Sequence, residues 1–219
     1  MSLLYKNIGL DLDGVLTEHD KFQLEKGLNY FCKKYQKSPS EVIKNLQGYD
    51  VTEIFGCSNY ERFFFWGRFI WEYCSIYPPR LGASEITKKW MKEGRNITII
   101  TGRKEIKEFY LVSLFLTLLT RYWLFHQKIS YQKILFCSDS KSEFEKKKIC
   151  EKQHIDLMAE DRPNVLRALK NTCRVVSFHT NWNREIQNDV SMFDTFYQMD
   201  DYIVREEKLQ RIRSLNNRD

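Results

Sequence analysis

The chain predicts an α/β fold, a parallel five-stranded sheet flanked by helices, with a small helical insertion after the first strand. Two observations carry this. Short apolar, often β-branched runs recur through the sequence, separated by stretches with helical spacing that are long enough to cross from one parallel strand to the next. Several of these runs stop at an acidic, hydroxyl or small residue, which marks the carboxyl ends of the strands, where open α/β sheets collect ligands.

The first run is Tyr5-Lys6-Asn7-Ile8-Gly9-Leu10, and it ends at Asp11-Leu12-Asp13-Gly14. Strand side chains alternate faces, so Asp11 and Asp13 would point the same way if the strand ran through both. Two carboxylates that close repel unless a cation sits between them, and hard oxygen donors favour Mg²⁺. From Phe22 the apolar residues recur at helical spacing through Leu24, Leu28, Phe31 and Tyr35, giving a helix over about 20–36. Ser38-Pro39-Ser40-Glu41 opens another helix with the residues of a capping box. Residues 48–59 read as a loop.

Residues 60–77 are crowded with rings, Phe63, Phe64, Phe65, Trp66, Phe69, Trp71 and Tyr73 among them. Most fit the core of a small helical bundle, while Phe65 and Trp66 are candidates to stack on a planar substrate group. After the Pro78-Pro79 turn, a helix over 84–93 leads to the strand Asn96-Ile97-Thr98-Ile99-Ile100, which closes on Thr101-Gly102-Arg103. That ending offers a hydroxyl, backbone N–H donors and a guanidinium to an anion. A buried helix follows over about 105–125. The third strand is Lys133 to Cys137, with Lys141 in the loop just past it. The fourth, Ile155 to Ala159, delivers Glu160-Asp161-Arg162, an acidic pair that again asks for a cation and a basic residue beside it. The fifth, Arg174 to Phe178, closes the sheet, and a charged helical tail starts near Asp200.

The composition is that of an ordinary soluble globular chain: 219 residues, 42% hydrophobic and 29% charged. The net charge of +6 is spread along the chain, and Lys146-Lys147-Lys148 reads as a solvated helix face, so a nucleic-acid polymer is not expected as partner. The six cysteines lack a Cys-x-x-Cys pair and imply reduced thiols in a cytoplasmic protein. The longest apolar stretch, 109–125, is broken by Arg121 and falls short of the roughly 20 residues of a span, so no membrane partner is expected.

The segment Asp11-Leu12-Asp13-Gly14-Val15-Leu16-Thr17 resembles the first motif of the haloacid dehalogenase superfamily of phosphohydrolases, and Thr101, Lys141 and Glu160-Asp161 stand where its other three motifs stand. The resemblance implies a Rossmann-like catalytic core made of residues 1–19 and 84–219, with a helical cap over 20–83 that selects the substrate. It implies that Asp11 is the nucleophile and Asp13 the acid/base. Thr101 and Lys141 would hold the phosphoryl group, and Mg²⁺ would sit on Asp11, the Asp13 carbonyl and Asp161, with Glu160 in support. Gly102, Arg103, Phe65, Trp66 and Arg162 are the expected substrate contacts. Within the superfamily the chain is most similar to the 5′(3′)-deoxyribonucleotidase or type C 5′-nucleotidase group, on Phe63-Phe64-Phe65-Trp66 and on the run from Ile155 to Pro163. The expected activity is hydrolysis of a nucleoside monophosphate. A sugar phosphate or another small phosphometabolite is the alternative substrate, and a non-catalytic phosphate-binding scaffold is the alternative class.

Overall fold

The computed structural model describes residues 3–103, 110–138 and 141–216. Among the described residues the strands are β1 (Asn7–Leu10), β2 (Asn96–Thr101), β3 (Lys133–Phe136), β4 (Leu157–Ala159), β5 (Arg174–Phe178) and β6 (Ser191–Phe193). All pair in parallel, in the order β3-β2-β1-β4-β5-β6. The sheet therefore has six strands where five are expected. The added strand, Ser191-Met192-Phe193, is too short for a period-two pattern to show, and it is fixed by pairing with β5.

The strand order runs outward in both directions from β1, so the topological switch lies there and a crevice opens beyond its carboxyl end. On one face of the sheet, Ile8, Leu10, Ile97, Leu157 and Phe178 pack with Trp90 of α5 (Ala83–Lys92), Trp123 of α6 (Tyr110–His126) and Phe196 of α9 (Phe196–Asn216). On the other face, Ile100, Met158 and Val175 pack with Cys150 of α7 (Ser142–Lys152) and Leu166 of α8 (Pro163–Leu169). Two polar ties hold α9 to the rest: Trp90 Nε1 donates to Asp200 at 2.8 Å, and Arg95 donates to Glu207 at 2.9 and 3.1 Å.

Between β1 and α5 lie α1 (His19–Tyr35), α2 (Pro39–Val42), α3 (Val51–Phe55) and α4 (Asn59–Ser75). Their cluster of Phe31, Val42, Ile54, Phe55 and Phe65 is separate from the sheet cores. The chain enters and leaves this layer at one place, where Thr17 pairs with Pro79 and Arg80 N–H donates to Leu16 O at 2.8 Å. The capping box at Ser38 and Glu41 forms, and a second one, Ser58 with Glu61, starts α4. The stretch 48–59 is not all loop: Asp50 caps α3 by accepting from Thr52 N–H.

Helix α6 differs from expectation in burial. Leu119, Trp123 and Leu124 enter the core, but Phe115, Leu118, Tyr122 and Phe125 face outward. An apolar run tells how much a helix would gain by burial, not whether a neighbour covers both sides. The expected start of this helix at Glu105 lies outside the described residues, as do Asp139 and Ser140 after β3.

Candidate active site

Strand β1 ends at Leu10, and Asp11 N–H still donates to Ala159 O at 3.0 Å, so Asp11 sits beside the end of β4. There β4 delivers Glu160 and Asp161, both fully buried. After Asp11 the chain turns tightly through residues 12–16, with Gly14 at a φ of 77°. A Cβ at Gly14 would collide with the Asp161 carboxylate, so glycine is what lets the turn close over that group. Arg80, itself buried, fixes the turn by donating to Val15 O at 3.0 Å and Gly14 O at 2.8 Å.

The ammonium of Lys146 lies 2.8 Å from Asp11 Oδ2 and 2.5 Å from Glu160 Oε2. Lys141, expected in this place, stands exposed at the start of α7. The correction has a plain geometric cause: Ser142, Lys146 and Cys150 are spaced by four and form the buried side of α7, which aims Lys146 inward. Within Lys146-Lys147-Lys148, the member in phase with Cys150 is the buried one, a signal that the basic run hides.

Asp11, Glu160 and Asp161 bring one oxygen each within 4.8 Å of one another. Glu160 is already engaged, by Lys146 and by the N–H groups of Asp161 and Arg162 at 3.3 and 3.2 Å. Asp161 is not: both its oxygens are buried without a hydrogen-bond partner. Three carboxylates against one ammonium leave two negative charges, which is the charge of one divalent cation. In the cation's absence, burial and the neighbouring Glu160 push the Asp11 carboxyl up to about 7, against the pull of Lys146. The same two causes drive Asp161 well above the carboxylate range. An orphaned buried carboxylate beside a second one fits a hard divalent ion such as Mg²⁺.

Asp13 lives in a different environment. Burial works against its charge, but Arg103 and Tyr73 outweigh that and hold its carboxyl far below the usual range. Arg103 donates from Nε at 2.9 Å and from Nη2 at 2.5 Å, and Tyr73 OH donates at 2.5 Å. Thr17 Oγ1 lies 2.7 Å from that same Tyr73 oxygen. Arg103 is tied in turn to Cys74 and Thr120, each at 3.4 Å, so the clamp joins α4 and α6 to the turn after β1.

A cavity of about 340 Å³ opens on these groups. Its lining includes the polar groups Asp11, Asp13, Gly102, Arg103, Lys146 and Arg162 and the rings of His19, Tyr49, Trp66 and Tyr73. Thr101 is buried at the end of β2, with Oγ1 accepting from Arg103 N–H at 3.4 Å. Of the two rings expected as substrate contacts, Trp66 lines the cavity and Phe65 does not. Phe65 is fully buried against Tyr30, Phe31 and Phe69, one residue and about 100° of helix away. His19 and Tyr73 come to the site without having been expected there. His19 stacks flat on Trp66 at 5.6 Å between centroids, and burial lowers its pKa.

No protein-family model and no curated protein matches this chain in sequence. Solved structures do match in shape. A predicted phosphatase from Clostridium acetobutylicum is 15% identical, with a TM-score of 0.62 over 93% of this chain and 100% of that one. A HAD-superfamily hydrolase of subfamily IA from Geobacter sulfurreducens is 14% identical, with a TM-score of 0.53 over 92% and 98%. The fold is that of the haloacid dehalogenase hydrolases. A third neighbour of this fold is CbbY from Rhodobacter sphaeroides, solved with xylulose-(1,5)bisphosphate; it is 13% identical, with a TM-score of 0.52 over 88% and 95%. The cavity described above lies at the carboxyl ends of β1, β2 and β4 in this haloacid dehalogenase-like sheet.

Proposed function

We propose that the chain is a Mg²⁺-dependent phosphatase that hydrolyses a small phosphomonoester, of the sugar-phosphate kind, through an aspartyl-phosphate on Asp11. The observation that carries this reading is the buried centre of Asp11, Lys146, Glu160 and the unpartnered Asp161. An Asp11 oxygen attacks phosphorus, the new O–P bond forms, and the bond to the leaving oxygen breaks. Lys146 fixes Asp11 Oδ2 and leaves its other oxygen free for attack, while Glu160 holds Lys146 from behind. Asp11, Asp161 and the Asp13 carbonyl would hold the ion, which supplies charge neutralisation on the phosphoryl oxygens.

Asp13 then serves as acid and base. As it stands, Arg103 keeps it ionised. The substrate's phosphoryl group draws Arg103 away, Asp13 takes up a proton from solvent and gives it to the leaving oxygen, and it later accepts one from the water that splits the aspartyl-phosphate. Thr101 and Gly102 stand at the β2 end as the supports of the phosphoryl group.

The helical layer over 20–83 acts as the cap, and residues 1–19 and 84–219 as the core. The guanidinium groups of Arg103 and Arg162 favour a compact, strongly polar substrate, and a neighbour of the same fold was solved with a sugar bisphosphate. A nucleoside monophosphate is the second reading, favoured by the rings of Tyr49 and Trp66 in the cavity wall. Against it, the stacked His19 already covers one face of Trp66.

The test is a panel of sugar phosphates, nucleotides and an aryl phosphate, with Mg²⁺ or with a chelator. Turnover is expected with Mg²⁺ alone, strongest on a sugar phosphate, and lost in Asp11→Asn. Full activity of Asp11→Asn would remove the nucleophile, and a preference for nucleotides would select the second reading.

A further inference from the structure

On the face of the sheet covered by α7 and α8, two cysteines meet at the edge opposite the candidate active site. Cys173 comes just before β5, two residues ahead of Val175, and packs on the same cluster as Val175, as strand alternation requires. Cys150 reaches that cluster from α7, on the side that also carries Ser142 and Lys146. The backbone brings the two together. Ile155 N–H donates to Cys150 O at 2.9 Å, and Arg174 N–H donates to Asp156 O at 2.9 Å. Consecutive residues 155 and 156 therefore tie the end of α7 to the residue that follows Cys173.

Both cysteines are free thiols, and they differ in access. Cys150 is fully buried, whereas Cys173 is half-buried and lines a cavity of about 660 Å³ at the start of β5. The charged residues of that lining are Lys170, Arg174 and Asp189, one net positive charge, which favours a thiolate over a thiol. The two sulfurs are in hydrogen-bonding contact. That contact lowers the pKa of Cys173, against burial and the Asp156 carboxylate, and together with burial it raises the pKa of Cys150. Cys150 S–H is thus the donor and the Cys173 sulfur the acceptor, so the accessible member of the pair is the one that ionises.

Three other cysteines show what this pair adds. Cys57, Cys74 and Cys137 are buried, and burial pushes each thiol up, to about 11 at Cys57 and about 12 at Cys137. A buried thiol that keeps its proton is inert. A reactive one needs an ionised sulfur, a path to solvent and a second thiol beside it, and Cys173 has all three.

We propose that Cys173 is a peroxide-reactive thiol with Cys150 as its resolving partner, and that the two close a reversible disulfide. The Cys173 thiolate attacks one oxygen of hydrogen peroxide and the O–O bond breaks. The departing hydroxide takes up the proton that Cys173 released and leaves as water. Cys173 is now a sulfenic acid, having given up the two electrons that reduced the peroxide. The Cys150 sulfur attacks it, the S–S bond forms, the S–O bond breaks, and hydroxide leaves with the Cys150 proton as a second water. Two thiols and one peroxide thus give one disulfide and two waters, and a reducing dithiol reverses the bond by exchange. The disulfide pins the end of α7, the helix that carries Lys146, to the start of β5. The inference does not depend on the phosphatase reading, and its test needs no substrate.

The experiment treats the reduced full chain with hydrogen peroxide, blocks the remaining thiols with iodoacetamide and maps the peptides by mass spectrometry. The expected product is a linked Cys150–Cys173 peptide within one chain, which dithiothreitol removes. Before oxidation, Cys173 is expected to take up iodoacetamide at least about tenfold faster than Cys150. Cys150→Ala is expected to stop at a sulfenic acid on Cys173, trapped by dimedone, and Cys173→Ser to leave Cys150 reduced. The wild-type map decides the matter even where a variant fails to melt cooperatively. Cys150 and Cys173 left as thiols at every excess of peroxide overturn the proposal, as does a disulfide that links two chains. A wild-type Cys173 sulfenic acid that never yields the linked peptide overturns it as well.

Discussion

The site has a charged wall, built where β1 and β4 end and α7 turns Lys146 inward, and a wall of rings drawn from residues 19–73. The charged wall brings Asp11 and Lys146 to the cavity, with Glu160 and Asp161 next to them and outside its lining, each buried and, except for Asp161, tied to another member. The wall of rings carries His19, Tyr49, Trp66 and Tyr73, which pack ring against ring. The charged groups cannot shift without leaving a charge unpaired in a dry place, so they define one geometry. Rings slide and repack at far smaller cost. Rigidity therefore belongs to the wall proposed to perform the chemistry, and adaptability to the wall proposed to choose the substrate.

Breaking the rigid wall should cost most. Lys146→Met removes the cation between Asp11 and Glu160, and is expected to abolish turnover and lower stability by about 3–5 kcal/mol, the usual penalty for breaking a buried pair. Lys141→Met, on an exposed lysine, should stay within about 0.5 kcal/mol of the parent and keep its activity. Urea unfolding and aryl phosphate hydrolysis read both.

A second effect is smaller and depends on pH. Asp11 is raised to about 7 in the folded chain, against about 4 when unfolded, so the metal-free fold binds the extra proton between those values. A raised carboxyl costs stability above pH 7, and the cost fades as pH falls toward the unfolded value. The melting temperature in chelator is expected to rise from pH 8 to pH 6, and Mg²⁺ is expected to cancel the rise. A calorimetric pair of titrations decides it.

The adaptable wall should give the mildest response. Trp66→Leu keeps an apolar side chain beside His19 and is expected to raise KM a few-fold with kcat nearly unchanged, the signature of uniform binding. A large loss of kcat would place Trp66 with the chemistry and blur the contrast between the walls.

The same contrast sets what could be read from the sequence. Strand ends are legible because an apolar run that stops at Asp11, Thr101 or Asp161 fixes both the element and the edge of the sheet where the residue lies. Helix faces are legible only once the neighbours are known. Phe65 and Trp66 are adjacent in sequence yet point into the bundle and into the cavity respectively. Lys146 hides in a run of three lysines, and only its phase with Ser142 and Cys150 distinguishes it. Tyr73 lies far from every strand end, and tertiary packing brings it to Asp13, whereas His19 opens α1 just after the β1 turn with no local pattern that marks its ring for the cavity. The short β6 and the outward rings of α6 likewise depend on partners that local pattern does not encode.

The central claim is that Asp11 and Asp161 share one divalent ion in front of Lys146. Crystals soaked in Mn²⁺ and measured at its absorption edge test this most directly. The account predicts an anomalous peak at roughly 2.0–2.3 Å from an oxygen of each carboxylate, absent in Asp161→Asn. Ordered crystals with no peak there, or a peak that survives Asp161→Asn unchanged, would contradict it.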